Sequence, residues 1–456
     1  MLKKGLNTGD CWVEKLKTSS REEINEIQLE KIKKQVSYNY KNSIFYQRKL
    51  DAAGIEPGDI KTWDDFHHVP FMDKDEHRAA QEESTAQFGH PFGMLACAPL
   101  DKIVRLSFTS GTSGTPTIYT LTKNDIKVTN MLNARKYRFI GLQPGHIVIN
   151  GFGLSMFAGG VPVVDALWDY GVCVVPVGAE ARSRRLLESA QLIKADALFC
   201  TPSFAEYLAE QAGDVLGKPI RELGLNFLVC GGEPGAGVPE FKKKMEEAYG
   251  TRLFDINGAV QPLHCISCDS DRYYGMHFLS EDYCYLELID PETGRPLELT
   301  EGVTGEQVFT WLDWEGTPFL RYRLGDILQI HTDPCHCGGP GMRIKVIGRT
   351  DDMLIVKGVN VYPSAIKDLL VKYMPRVTGA FRIVLDRPGP KVEPPLKIKI
   401  ERGEGLEGSA LDKLKHEIEE DMSSVNRVRP EIFFVSPYSL ERKENKTQYI
   451  ELDPNN

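Results

Sequence analysis

The stretch Ser107-Phe-Thr-Ser-Gly-Thr-Ser-Gly-Thr-Pro-Thr117 packs hydroxyls and glycines at a density suited to wrapping phosphate oxygens. Backbone N–H groups and hydroxyls of Ser110, Gly111, Thr112, Ser113 and Gly114 would form the collar. The flanking runs, Val104 to Phe108 and Thr117 to Thr122, alternate like β-strands, so the collar is expected at the tip of a hairpin. That context excludes the common phosphate loops. A Walker A site closes with Lys-Ser/Thr onto a helix, and a dinucleotide site needs G-x-G-x-x-G between strand and helix; neither spacing is present. A solvated turn of glycine and serine is the plain alternative.

A second constellation is sulfur-rich. Cys268 and His277 form a Cys-x8-His pair, and Cys335 with Cys337 a Cys-x-Cys pair further along. Three thiolates and an imidazole suit a closed tetrahedral Zn²⁺ site, structural because no position is left for water. His264, Cys265 and His336 are rival ligands, and unliganded reduced thiols are the plain alternative.

The elements that must position these groups are legible in outline. The chain has 456 residues, beyond the usual size of one core, so two or more domains are expected. A hydrophobic share of 41% suits a globular enzyme. With 55 Lys and Arg against 64 Asp and Glu, the net charge of −9 argues against a nucleic-acid binder. The N-terminal residues lack a signal-peptide core and no run reaches membrane-spanning length, so a cytoplasmic protein that does not enter the membrane is expected. Several of the ten cysteines fall in apolar runs, and the thiols read as reduced core residues.

Residues 21 to 41 pattern as an amphipathic scaffold helix. From about 143 to 260, short β-branched runs alternate with helical stretches, which indicates a mostly parallel α/β sheet. From 283 to 331, strands with turn signals suggest a β subdomain. Beyond the 350s the pattern is a short α+β unit, with strands at 383–385, 396–400 and 432–435 and helices at 363–373 and 409–425. The expectation is an N-terminal domain over 1–348 and a small mobile C-terminal domain over 349–456.

Further motifs follow in order: Val69-Pro-Phe-Met-Asp-Lys-Asp-Glu76, Pro91-Phe-Gly-Met94, Phe152-Gly-Leu-Ser-Met-Phe-Ala-Gly-Gly160, Gly231-Gly-Glu-Pro234, Arg321-Tyr-Arg-Leu-Gly-Asp326 and Gly348-Arg-Thr-Asp-Asp-Met-Leu-Ile-Val-Lys-Gly-Val-Asn-Val-Tyr-Pro363. Together with the hydroxyl loop they resemble the adenylate-forming superfamily, and within it the phenylacetate-CoA ligase branch. The resemblance implies an AMP-forming acid–thiol ligase using ATP, Mg²⁺ and coenzyme A on a small carboxylic acid. It also implies roles. Lys446 would be the catalytic lysine of the closing segment, with Lys443 as rival; Asp326 would bind the ribose hydroxyls, and Arg349 would lie near the nucleotide. Gly231, Gly232 and Glu233 would flank the purine, Asn257, Gly258 and Gln261 would line the nucleotide and metal corner, and Asp351 would be the hinge about which the small domain swings. Phe152, Met156, Phe157, Gly159 and Ala259 would shape the acyl pocket, with Phe152–Gly160 as its helix, and their apolar character suits an arylacetate or benzoate-like acid. Part of this branch carries cysteines and a histidine in the stretches holding the zinc candidates.

Three positions depart from the family pattern, one of them Asn445, which stands where a glycine usually precedes the catalytic lysine. Gln261 stands where a magnesium-binding Glu is usual, and Thr115 where the loop usually has a lysine. An amide offers a hard cation a carbonyl oxygen but no charge. The metal step could then run chiefly through the phosphates. A nucleotide- or acyl-binding relative without turnover, an acceptor other than CoA, and a homodimer all stay open at this stage.

Overall fold

The computed structural model describes residues 12–108, 115–156, 159–233, 235–258, 263–270, 273–350, 352–357, 359–387, 389–425, 427–440 and 449–453. The scaffold helix runs Arg21–Asn42, opened by a capping box between Ser20 and Glu23, and buries Ile24, Ile32 and Val36 at helical spacing.

The architecture is α/β. Strands Ile147–Asn150, Cys173–Val175, Ala197–Cys200, Phe227–Gly231 and Arg252–Asn257 pair in parallel. Ala197–Cys200 is buried at every position, the pattern of a strand covered on both faces. Helices Val161–Tyr170, Arg182–Ile193, Pro202–Leu216 and Pro239–Tyr249 alternate with these strands. Two apolar clusters result, one around Leu187, Leu208 and Leu228 and the other around Tyr137, Phe199 and Val229.

The strands expected over 283–331 pair antiparallel and extend this same sheet. From Arg252–Asn257 it continues through Cys265–Ile266 and Met276–Phe278 to Arg343–Arg349, Tyr322–His331, Thr304–Trp311, Cys284–Ile289 and Pro296–Leu297, giving twelve strands in one sheet among the described residues. A third cluster beneath this half holds Trp311, Trp314, Phe319 and Tyr322.

Past residue 353 the strands belong to other sheets. Leu354–Val356, Val359–Val361 and Lys391–Val392 form a small one; Pro430–Val435, Leu396–Arg402, Val377–Leu385 and Ile450–Leu452 form another, in that order. Helices Pro363–Val371 and Ser409–Val425 accompany them, and Ile366, Phe381, Ile398 and Ile418 share a separate apolar cluster. Among the described residues no helix is long and apolar enough to cross a membrane.

One element differs from expectation. The described part of Phe152–Gly160 is loop, and the helix begins only at Val161, with Pro162 in its first turn. The glycines explain it: a Cβ on Gly160 would collide with the carbonyl of Gly153, so the segment folds back on itself where a helix would extend.

Candidate active site and metal centre

The hydroxyl loop is carried as the sequence implies. Strands Ile103–Phe108 and Ile118–Thr122 pair antiparallel up to Phe108 opposite Ile118. Ser110, Gly111, Thr112, Ser113 and Gly114 lie outside the described residues. The exit limb is clasped by helix Lys74–Phe88: Arg78 Nε donates to Thr115 O at 3.1 Å, Gln81 Nε2 to Pro116 O at 3.2 Å, and Gln81 Oε1 accepts from Ile118 N at 2.7 Å. Sequence reasoning missed these two side chains. Their signal was present, since they project at i and i+3 from the helix that follows the Val69–Glu76 motif.

The acyl segment touches the same hairpin, with Phe108 N donating to Met156 O at 3.2 Å. Its members part company. Met156 is half exposed, whereas Phe152 is buried in the cluster around Phe199 and packs against Gly159. Leu154 N donates to Glu180 Oε2 at 3.0 Å, which fixes the loop from outside. Phe157 and Ala259 lie outside the described residues.

Gly231 ends a parallel strand where only glycine fits, because a Cβ would meet the Ile256 carbonyl at 2.5 Å. Gly232 follows with φ +87°. Glu233 turns its carboxylate away to the start of helix Pro202–Leu216, accepting from Ser203 N at 2.7 Å, so it caps that helix. On the neighbouring strand Asn257 is the last residue, its Oδ1 accepting from Gly258 N at 2.7 Å. These carboxyl ends of parallel strands are where open α/β sheets bind ligands. Gln261 lies outside the described residues.

Asp326 and Arg349, assigned separate roles, are partners. They face each other across the ladder of Tyr322–His331 and Arg343–Arg349. Arg349 Nη1 donates to Asp326 Oδ1 at 2.6 Å and Nη2 to Leu324 O at 3.1 Å. Both side chains keep about a fifth of their surface exposed, enough for Asp326 to accept from a ligand hydroxyl on its open side. Just beyond, Ser364 Oγ donates to Ile347 O, tying helix Pro363–Val371 to this strand. The hinge candidate Asp351 and the lysines Lys446 and Lys443 lie outside the described residues.

The sulfur constellation assembles as one cluster. Cys268, His277, Cys335 and Cys337 place their ligand atoms within 4.8 Å of one another, a group able to hold a metal ion. Cys268 Sγ lies 3.8 Å from Cys335 Sγ, and Cys337 Sγ 3.3 Å from His277 Nε2. Bonds of about 2.3 Å to sulfur and 2.0–2.1 Å to nitrogen set at tetrahedral angles demand edges of that size. His277 Nδ1 donates to Pro340 O at 2.8 Å, which fixes the tautomer and leaves Nε2 for a metal. Burial lowers the His277 pKa and so favours the neutral, ligating form. His264, Cys265 and His336 are outside the cluster. A cavity of about 640 Å³, lined by Arg21, Glu301 and Cys335 among others, adjoins this centre and not the Asp326–Arg349 pair.

Comparison with known proteins decides the family. Residues 358–451 match the AMP-binding enzyme C-terminal domain. The phenylacetate-coenzyme A ligase of Thermus thermophilus is 34% identical over 389 residues, covering 84% of this chain and 83% of that protein. The chain belongs to the phenylacetate-CoA ligase family. It is accordingly an AMP-forming acid–thiol ligase of the adenylate-forming superfamily. Among solved structures, 2-hydroxyisobutyryl-CoA ligase in the postadenylation state with its acyl adenylate superposes with TM-score 0.86 at 28% identity, over 97% of this chain and 92% of that one. The same ligase with acyl adenylate and CoA in the thioesterification state gives 0.69 at 29% identity, over 96% and 92%. A fall of this size for one sequence reflects a different arrangement of its parts.

Proposed function

We propose that this ligase activates a phenylacetate-like aromatic acid. The observation that carries this reading is its identity with the Thermus phenylacetate-coenzyme A ligase along 84% of the chain. In the first step a carboxylate oxygen of the acid attacks the α-phosphorus of ATP, and the bond to the β-phosphate oxygen breaks to release pyrophosphate. In the second the sulfur of CoA, its proton lost, attacks the acyl carbonyl and AMP departs.

The residues divide this work by position. Asp326, held by Arg349, takes the ribose hydroxyls, and the turn at Gly231-Gly232 leaves a flat backbone face for the purine. The hydroxyl loop, Ser110 to Gly114, wraps the phosphates. Lys446 stabilises charge developing between acid and α-phosphate, an interaction strongest in the transition state. Met156, Phe157, Gly159 and Ala259 would line the acyl side, and Phe152, itself buried, would support it.

Mg²⁺ would be held mainly by the phosphates, with the Gln261 carbonyl as an uncharged contribution. Among the described residues the four-residue sulfur cluster is the group able to hold a metal by itself, and it contains no carboxylate. Zn²⁺ fits that cluster, and its part there is structural because four protein ligands fill the coordination sphere.

Residues 1–348 and 349–456 are taken as two domains hinged at Asp351, here in the adenylation pose. The higher superposition on the postadenylation relative supports that pose. A cytoplasmic location fits the free cysteines found among the described residues.

Pyrophosphate release from ATP and Mg²⁺ with phenylacetate, benzoate and 2-hydroxyisobutyrate, with and without CoA, tests the reading. Preference for phenylacetate is expected; preference for the short hydroxy acid would overturn the aromatic assignment.

A further inference from the structure

We propose that Lys136 is a positioning residue for this reaction: from the far end of helix Lys123–Phe139 it pins the Asn257–Gly258 turn, from which the nucleotide- and acyl-binding stretch continues. The inference rests on the assignment of that stretch made above. Lys136 is wholly buried. Its Nζ donates to Asn257 O at 3.2 Å and to Gly258 O. Among the described residues no carboxylate pairs with it, which sets it apart from Lys242, buried beside Glu246. A lysine is seldom kept at zero exposure, because desolvating an ammonium is costly. Here it serves the need of two consecutive backbone carbonyls for a donor.

The need comes from the shape of the turn. Asn257 closes its strand opposite Cys265, and Gly258 then takes φ +76°, where a Cβ would collide with the Leu263 carbonyl. The two ends of the stretch are thereby brought together, and a single amine reaches both carbonyls at the entrance. Burial brings the Lys136 pKa down to about 7. Charged or neutral, the amine retains hydrogens to donate.

The helix makes this a link between two parts of the site. Its N-cap, Thr122, is the last residue of the strand leaving the hydroxyl loop. Asp125 anchors the first turn by accepting from Glu315 N and Gly316 N, each at 2.9 Å. Arg135 anchors the last turns through Leu279 O at 2.8 Å and Asp282. A rigid rod of seventeen residues therefore carries the phosphate hairpin at one end and the Asn257–Gly258 turn at the other. In-line attack depends on the spacing of the groups held by these two ends, and Lys136 fixes it.

Lys136→Met removes the donor at similar length, and Lys136→Gln restores a shorter neutral one. Two readouts are compared with wild type: amide hydrogen exchange of peptides covering 252–266, and acid-dependent pyrophosphate exchange. For Lys136→Met we expect exchange at the turn about tenfold faster with the Phe227–Gly231 strand unchanged, and a kcat about tenfold lower with the ATP KM within about twofold. Lys136→Gln should recover most of both. The proposal is overturned if folded Lys136→Met exchanges like wild type at the turn, or if faster exchange spreads over the whole sheet in step with a lower unfolding temperature. Should Lys136→Met fail to fold, Lys136→Leu carries the same comparisons, since it also removes the donor, with the same changes expected and the same results overturning. Hydrogen exchange needs no turnover, so a turn-specific response in a wild type that activates no acid would count against the ligase reading and not against Lys136.

Discussion

Phe227–Gly231 and Arg252–Asn257 share a ladder of five residue pairs, and Tyr322–His331 with Arg343–Arg349 a ladder of six. Between these two halves the sheet is thin. Three successive ladders, Ile256 and Asn257 with Ile266 and Cys265, Cys265 and Ile266 with Phe278 and His277, and His277 and Met276 with Arg343 and Ile344, hold two pairs each. The sulfur cluster lies at this seam. His277 is on one of the short strands, Cys268 just follows another, and Cys335 and Cys337 lie in the connection leading into Arg343–Arg349. The nucleotide corner differs in kind. Its groups sit at strand ends, in turns and at the end of one ladder, where Asp326 and Arg349 are partly open to solvent. A closed cluster suits holding two halves of a sheet together, and an open edge suits exchanging substrates.

If the division is right, substitutions at the open edge should alter catalysis with little loss of stability, and those at the seam should do the reverse. Lys446→Ala is the strongest test at the edge. Adenylation should fall about 10²–10³-fold with unfolding temperature and nucleotide binding nearly unchanged, as for loss of a charge-stabilising donor. Pyrophosphate exchange that survives this change but collapses in Lys443→Ala would move the role to Lys443.

Asp326→Asn should act next most strongly. It weakens both the Arg349 pair and the acceptor offered to ribose, so the ATP KM should rise roughly tenfold, the scale of one charge-assisted hydrogen bond. An unchanged KM measured by steady-state kinetics would remove Asp326 from the nucleotide site.

At the seam, Cys335→Ser should lower the unfolding temperature by roughly 5 °C while the ATP KM stays within about twofold. Metal analysis of the wild type should give about one Zn²⁺ per chain. A metal-free preparation with undiminished stability would show that the thiols do no bracing.

Much of this was legible from residue order. The helical and strand periods placed Arg21–Asn42 and the alternating strands from Ile147 to Gly231, because burial on one face or on both leaves a repeating apolar pattern. The four cluster residues were named from type and spacing, with His264, Cys265 and His336 left as rivals that only the fold sets aside. Three features were not legible. Phe152–Gly160 was expected as helix, and only the close approach of Gly160 to Gly153 shows why it is loop. Asp326 and Arg349 read as separate contacts, since a cross-strand pair depends on ladder register. Lys136 carries no motif at all; its meaning comes from a fully buried position beneath two carbonyls that lie far away in sequence.

The central claim is a two-step ligase for an aromatic acid, and one measurement tests it most directly: purified protein with ATP, Mg²⁺ and phenylacetate, followed for pyrophosphate, AMP and CoA thioester. The account predicts pyrophosphate formation that depends on the acid, and thioester with stoichiometric AMP only when CoA is added. Pyrophosphate with no thioester on adding CoA, or neither product from any aromatic acid, would contradict it.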